Sequence, residues 1–168
     1  MDSYIVEGKN ISFQYQDSSE GIQDIHFSLK PGETILVTGN SGSGKSTFLK
    51  CLNGLIPRVV EGKLQGEILL NHQNTKDMSM AEISRHISSV FQNPRSQFFT
   101  TNTTSELVFS MENYGCKKDM MEAQLQKVTA LLKIQKLLNR DIFQLSGGER
   151  QMVAIASAMM LGQKIILL

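Results

Sequence analysis

Eight consecutive residues, Gly39-Asn40-Ser41-Gly42-Ser43-Gly44-Lys45-Ser46, constrain this chain more than any other stretch. They match the pattern G-x-x-x-x-G-K-[ST], whose chemistry depends on its glycines. Without side chains, Gly39, Gly42 and Gly44 let successive backbone N–H groups converge on a cluster of phosphate oxygens. The helix expected to start at Lys45 adds the positive end of its dipole. Lys45 can reach the β- and γ-phosphates of a nucleotide, and the Ser46 hydroxyl can coordinate Mg²⁺. At ordinary residue frequencies a chain of this length matches the pattern by chance on the order of 0.01 times. The glycines lack the G-x-G-x-x-G spacing of a dinucleotide fingerprint, and the Lys-Ser pair points to a nucleoside triphosphate instead.

The flanking sequence supplies a strand and a helix. Ile35-Leu36-Val37, just before the loop, is a short apolar run of the kind found in a strand buried on both faces. Earlier, Ile25, Phe27 and Leu29 alternate with polar residues, the period of a half-buried strand, and Pro31-Gly32 then turns the chain. Pro57 is expected to end the helix that begins at Lys45. Gly66–Leu70 and Ser88–Phe91 read as further strands. From about Thr103 the pattern turns helical, with Leu125, Val128, Leu131 and Leu132 at helix spacing. Met152, Ile155, Ala156, Met159 and Met160 form one apolar stripe, which predicts a helix packed on a core. Ile165–Leu168 reads as a last buried strand. Strands alternating with helices mean an α/β fold with a helical insertion.

Composition narrows the classes. Hydrophobic residues make up 40% of the 168 and charged residues 20%, enough apolar matter for a real core. Seventeen Lys and Arg against 16 Asp and Glu leave a net charge of +1, which gives no reason to expect a nucleic-acid partner. Two cysteines, Cys51 and Cys116, cannot frame a disulfide scaffold and fit a reducing compartment. The start, Met1-Asp2-Ser3-Tyr4, lacks the pattern of a signal peptide, and no segment is apolar for long enough to cross a bilayer. These features lead to the expectation of a soluble intracellular chain.

A second motif, Leu145-Ser146-Gly147-Gly148-Glu149-Arg150-Gln151, lies far downstream of the first. Ser146 stands where it can cap the helix that follows. Gly147 and Gly148 leave the first N–H groups of that helix open, so this is a second candidate anion site.

The two motifs together resemble those of the ATP-binding subunits of ABC transporters. Gly39–Thr47 is similar to the family's Walker A loop and Leu145–Gln151 to its signature motif. The resemblance implies that residues 39–47 bind ATP, with Gly39, Asn40, Ser41, Gly42, Ser43, Gly44, Lys45, Ser46 and Thr47 around it. It implies that Ser146, Gly147, Gly148 and Glu149 of one subunit close over the γ-phosphate held by another. Val90-Phe91-Gln92-Asn93-Pro94 resembles the Q-loop, where Gln92 would approach Mg²⁺ and the attacking water and hinge the helical insertion. Lys45 and Gln92 are then the catalytic candidates, with Ser46 and Gln92 on the metal side. Ile11-Ser12-Phe13-Gln14-Tyr15 resembles the aromatic A-loop, in which Tyr15 would stack on adenine while Phe13 belongs to the core.

Phe91–Pro94 with Gln97-Phe98-Phe99, Phe109 and Glu112-Asn113-Tyr114-Gly115 is most similar to the energy-coupling-factor type, whose ATPases drive uptake of vitamins or of cobalt and nickel ions. Thr103 and Ser110 stand where that likeness leads one to expect an apolar or small residue. The resemblance implies a P-loop NTPase core of the ABC ATPase kind, with an N-terminal antiparallel β subdomain and a helical insertion, and without the C-terminal strands. The expected division is 1–92 for the β subdomain and P-loop core, 93–145 for the insertion, and 146–168 for the signature helix and the start of the Walker B strand.

The implied partners are a second ATP-binding subunit, in a homo- or heterodimer, and transmembrane transporter subunits. The implied place is peripheral, at the cytoplasmic face of the cell membrane. In the family an apolar strand like Ile165–Leu168 leads into an Asp-Glu pair that holds Mg²⁺ and polarises water; this sequence stops before it, and the expectation is that these residues alone turn over little or no ATP. His26, His72 and His86 all precede the signature motif and are read as surface or satisfied histidines. Three other classes stay open on the residues alone: a soluble ABC-type ATPase, a small-molecule kinase, which would leave residues 145–151 unexplained, and a nucleotide-binding regulator without hydrolysis.

Overall fold

The computed structural model describes residues 4–168, which fall into two units, one ending at Ile87 and the other running from Ser88 to Leu168. In the first unit, β1 (Val6–Tyr15) is flanked by β2 (Gly21–Leu29) and β3 (Gly62–Leu70), and β4 (Gln73–Asn74) extends the sheet beyond β3, all antiparallel. The apolar residues of β1 break strict alternation: Val6 and Gly8 are buried, and so are Ile11 and Phe13. A one-residue slip turns every later side chain to the other face, so an extra residue is needed to keep both pairs on one side. Asn10 supplies it, with φ at 51° and a register shift toward both neighbours. Gly66 faces this bulge at φ 83°, and a Cβ there would lie 2.3 Å from the Asn10 carbonyl oxygen. Only glycine fits.

β2 is half-buried in alternation, as Ile25, Phe27 and Leu29 predict. α1 (Lys45–Leu52) starts at the expected lysine and lays Phe48 edge-on against Phe27 at 5.2 Å. Cys51, 1% exposed, sits on the same helix, and burial pushes its thiol up to about 12, an inert packing residue. Two expectations fail here. Pro57 does not end α1: Asn53 and Gly54, the latter at φ 78°, close it, and Pro57 lies inside the following short helix α2 (Leu55–Arg58). Ile35–Val37 does not form a strand either; Leu36 is 84% exposed. An apolar run becomes a buried strand only when neighbouring strands take up its N–H and C=O groups, and among the described residues no strand pairs with it. The histidines are partnered, His26 and His72 exposed beside Asp24 and Glu7, and His86 half-buried with Asn71. α3 (Met80–Ser84) carries a capping box, Ser79 with Glu82.

The second unit holds α4 (Thr103–Asn113), α5 (Lys118–Leu131) and α6 (Gly147–Met159), with β5 (Ile87–Ser89) paired to β6 (Ile165–Leu167). The strand expected at Ser88–Phe91 is therefore shorter at its far end, although the Val90 N–H still donates to the Leu167 carbonyl at 2.8 Å. Leu107, Met111, Val128, Ile134, Leu137, Leu145, Val153, Ala156 and Met160 form the core. The α6 stripe was predicted one residue off centre: Val153, outside it, is fully buried, while Met152 and Met159 pack on its edge and Ile155 is half-buried. Leu131 is 64% exposed, against expectation. The buried face of α5 runs through Leu125, Val128 and Thr129, and at 3.6 residues per turn Leu131 stands well round the helix from it.

Thr103, completely buried, shows why a hydroxyl is tolerated at an apolar position. Its Oγ1 donates to the Leu137 carbonyl at 2.6 Å and accepts the Arg140 N–H at 3.1 Å, joining α4 to the segment before α6. Thr103→Val strands both backbone partners and is expected to cost about 1–3 kcal/mol, read from urea unfolding.

A second expectation concerns pH. Glu82 and Glu149 each accept hydrogen bonds from the backbone and side chain of a capping serine, which hold both carboxyls below their ordinary value. A depressed carboxyl stabilises the fold above the unfolded value of about 4.3, and the contribution is lost as pH falls through the lower folded value. Urea midpoints measured at pH 6 and pH 3.5 should therefore differ less in E82Q/E149Q than in the native chain.

Candidate functional site

In the first unit the glycine-rich loop runs from an extended segment into α1. Gly39, Gly42 and Gly44 all have positive φ, at 148°, 81° and 87°, and residues 39–43 are exposed. At Gly44 a Cβ would meet the Ile22 methyl at 2.5 Å, so the loop's last glycine is required twice, by φ and by space. Gly44 is also the N-cap of α1 and provides no side-chain acceptor. The N–H groups of the first turn therefore face outward without an internal partner, a ready seat for an anion. Lys45 Nζ folds back over the loop and donates to the Gly39 carbonyl at 2.8 Å and the Asn40 carbonyl at 2.7 Å, with Ser43 Oγ at 3.4 Å. The ammonium thus lies over the cradle where phosphate charge would collect. Ser46 is exposed in the first helical turn, beside it.

Thr47 points the other way. It is buried, and its Oγ1 is 2.8 Å from the Tyr15 hydroxyl. The structure thereby brings Tyr15, at the end of β1, to the base of the phosphate loop, with its ring edge-on to Phe13 at 5.0 Å. Phe13 is core, as its strand position predicts. Tyr15 lines an open hollow of about 350 Å³ with Gln14, Gln16, Gly62 and Lys63. The Tyr15–Thr47 link was not legible in sequence, because nothing in residue spacing says that β1 ends beside α1.

In the second unit, Ser146 is the N-cap of α6 and forms a reciprocal box with Glu149. Ser146 Oγ accepts the Glu149 N–H at 3.3 Å, while Glu149 Oε2 accepts the Ser146 N–H at 2.9 Å and the Ser146 hydroxyl at 2.8 Å. These bonds, with Arg140 and Lys136 nearby, keep Glu149 ionised. Gly147 and Gly148 are exposed, and a Cβ built on either meets nothing within 4 Å. The box thus satisfies the donors on both sides of the two glycines and leaves theirs outward. Arg150 reaches back to the Leu145 carbonyl and fixes the chain entering the motif. Gln92 lies on an exposed stretch, residues 91–93, just after β5.

A triphosphate fits these residues. Each helix start, taken by itself, offers open N–H groups among small residues, and the first adds a lysine; these are donors of the kind phosphate oxygens take. Mg²⁺ fits only as a guest of that ligand: among the described residues no group of three or more His, Cys, Asp or Glu could hold a metal, so the ion would rest on the Ser46 hydroxyl, phosphate oxygens and water.

Comparison with known proteins agrees with this chemistry. The sequence pattern of the family described as ABC transporter matches residues 22–168. A protein of Treponema denticola named as an ABC transporter ATP-binding protein is 45% identical over 160 residues, covering 95% of this chain and 33% of the relative. One of Pyrococcus abyssi, similarly named, is 38% identical over 165 residues, covering 98% of this chain and 59% of its own length. The chain thus spans only part of the length of these relatives. Among solved structures, cbiO1 of Clostridium perfringens, described as part of the cbiONQ ABC transporter complex, superposes with a TM-score of 0.85 at 24% identity, over 98% of this chain and 64% of that one. That likeness shows the fold, an α/β ABC ATPase with an antiparallel N-terminal sheet. The chain belongs to the ABC transporter family, as a domain of its ATP-binding type.

Proposed function

We propose that this domain binds ATP with Mg²⁺ between two copies of itself or between itself and a related subunit, and that the closure and reopening of that pair drives substrate import through membrane subunits. The observation that carries the reading is the pair of open helix starts, at Lys45 in one unit and at Gly147 in the other. A single triphosphate tail has oxygens enough for both. In this reading Gly39–Ser46 with the Thr47 backbone N–H cradle the β- and γ-phosphates, the Thr47 side chain being turned away to Tyr15, and Lys45 neutralises their charge as it leaves the Gly39 and Asn40 carbonyls. Ser146, Gly147 and Gly148 of the partner cover the γ-phosphate, and Glu149 holds Ser146 in place. Tyr15 offers its ring to adenine from the hollow beside Gly62. Mg²⁺, when bound, would neutralise charge on the phosphates; the Ser46 hydroxyl would be available to hold it, and the resemblance to the family assigns Gln92 to the same task.

Support for transport comes from the names of the relatives and from the neighbour's description as part of a transporter complex. The Phe91–Pro94 and Gln97–Phe99 sequence, through its resemblance to the energy-coupling-factor type, favours that type. No helix among the described residues is long and apolar enough to cross a membrane; a peripheral place on the cytoplasmic face, under membrane partners, belongs to this reading through the resemblance to transporter ATP-binding subunits.

Gly147→Asp tests the pairing. Space for its Cβ is open, and a carboxylate in the first turn of α6 suits the helix dipole, so the fold should be unharmed. A carboxylate there repels phosphate. By sedimentation, ATP·Mg²⁺ should pair native chains and fail to pair G147D, while G147D keeps its affinity for a fluorescent ATP. Equal pairing of both would refute the proposal. Lys45→Ala should lower that affinity at least tenfold.

A further inference from the structure

We propose that Gln97 is a positioning residue for Gln92, acting through the Phe91 backbone as one link of a brace that ends on Glu106 of α4. The inference rests on the reading that Gln92 faces the metal side of a bound nucleotide.

The segment 91–93 has no regular structure, and Gln92 in its middle is exposed. Such a residue keeps a defined place only if the chain is fixed on both sides of it. Before it, the Val90 N–H donates to the Leu167 carbonyl. After it, the Asn93 side chain caps the single turn Pro94–Ser96 by accepting the Arg95 N–H at 3.1 Å, and Ser96 Oγ donates to the Asn93 carbonyl at 2.8 Å. Gln97, half-buried, then reaches back, and its Oε1 accepts the Phe91 N–H at 2.9 Å. The loop is closed on itself, with Gln92 immediately beside the closing bond.

The next link leads away from it. The N–H groups of Phe99 and Thr100 both donate to Glu106 Oε2, at 3.0 and 2.8 Å, and Thr100 Oγ1 donates to the Asn102 carbonyl at 2.9 Å. Glu106 is 2% exposed, in the first turn of α4, where its charge also suits the helix dipole. The turn Pro94–Ser96 packs against α6, the helix that starts at Gly147. In this proposal a shift of α4 reaches the residue before Gln92 through the hydrogen bonds at residues 99–100, the chain at Phe98 and the Gln97 bond.

The test compares Gln97→Leu, which removes the acceptor, with Gln97→Glu, which keeps one. Amide exchange of Phe91 in the full chain, followed by NMR with Val128 as internal reference, should be about five- to tenfold faster in Q97L and native-like in Q97E, the loss of one hydrogen bond. ATP affinity is then measured with and without Mg²⁺. Q97L should lose the tightening that Mg²⁺ gives, by a factor close to that of Gln92→Ala, with metal-free affinity unchanged and Q97E restoring it. A residue that only helped the loop fold would weaken both affinities alike. Unchanged Phe91 exchange in Q97L overturns the brace, and so does faster exchange with a native Mg²⁺ effect when Gln92→Ala abolishes that effect. If Gln92→Ala itself changes nothing, the reading of Gln92 fails, and the brace stands or falls on Phe91 exchange.

Discussion

The first N–H groups of an α-helix have no acceptor inside the helix, and each must find one elsewhere. Two helices in this chain solve the problem fully with a side chain, Asn102 for α4 and Ser79 with Glu82 for α3, while α2 and α5 have no side-chain cap. α1 does not solve it, because its N-cap is Gly44. α6 solves it in part, because the Ser146–Glu149 box serves the positions on either side of Gly147 and Gly148. Glycine stands at the cap of α1 and at the first two positions of α6, and both glycine-bearing stretches leave backbone N–H groups uncovered by side chains. In the function proposed here an anion supplies what the fold omits. The function proposed for this domain follows from that omission more than from any side chain that reacts.

The rest of the structure keeps these two helix starts fixed. In the first unit the bulge at Asn10 turns Ile11 and Phe13 back onto the face of Val6, and Gly66 makes room for it. β1 then ends with Tyr15 against Thr47, so the sheet is tied to α1 one turn from the phosphate loop. In the second unit the buried hydroxyl of Thr103 holds the segment leading to α6, and Val153, Ala156 and Met160 anchor the helix itself. Packing sets the position of each cradle, and in the proposed function the backbone does the binding.

The sequence was most legible where backbone geometry dictates residue type. The glycines of 39–44, the capping serine at 146 and the start of α1 at Lys45 were all readable, because few residues tolerate φ near 80° or cap a helix. Periodicity did less well. It found α6 but placed the stripe beside Val153, and it grouped Leu131 with Leu125 and Val128 although Leu131 is exposed, because spacing gives a period and only tertiary packing chooses its phase. Ile35–Val37 failed for a related reason: an apolar run states a preference for burial, while a strand needs partners that the run cannot name. The links that matter most to the site, Tyr15 to Thr47 and Gln97 to Phe91, join residues whose spacing has no period. They were visible only in three dimensions.

The central claim is that one nucleotide is shared between the loop of one chain and the glycines of another. Amide shifts recorded in an ATP·Mg²⁺ titration at several protein concentrations test it most directly. Gly42 and Gly44 should shift at every concentration, as the nucleotide enters the loop. Gly147 and Gly148 should shift only as the chains pair, with a dependence on protein concentration. Glycines at 147 and 148 that stay still while the chains pair around ATP, or that respond equally at all concentrations, would contradict the account.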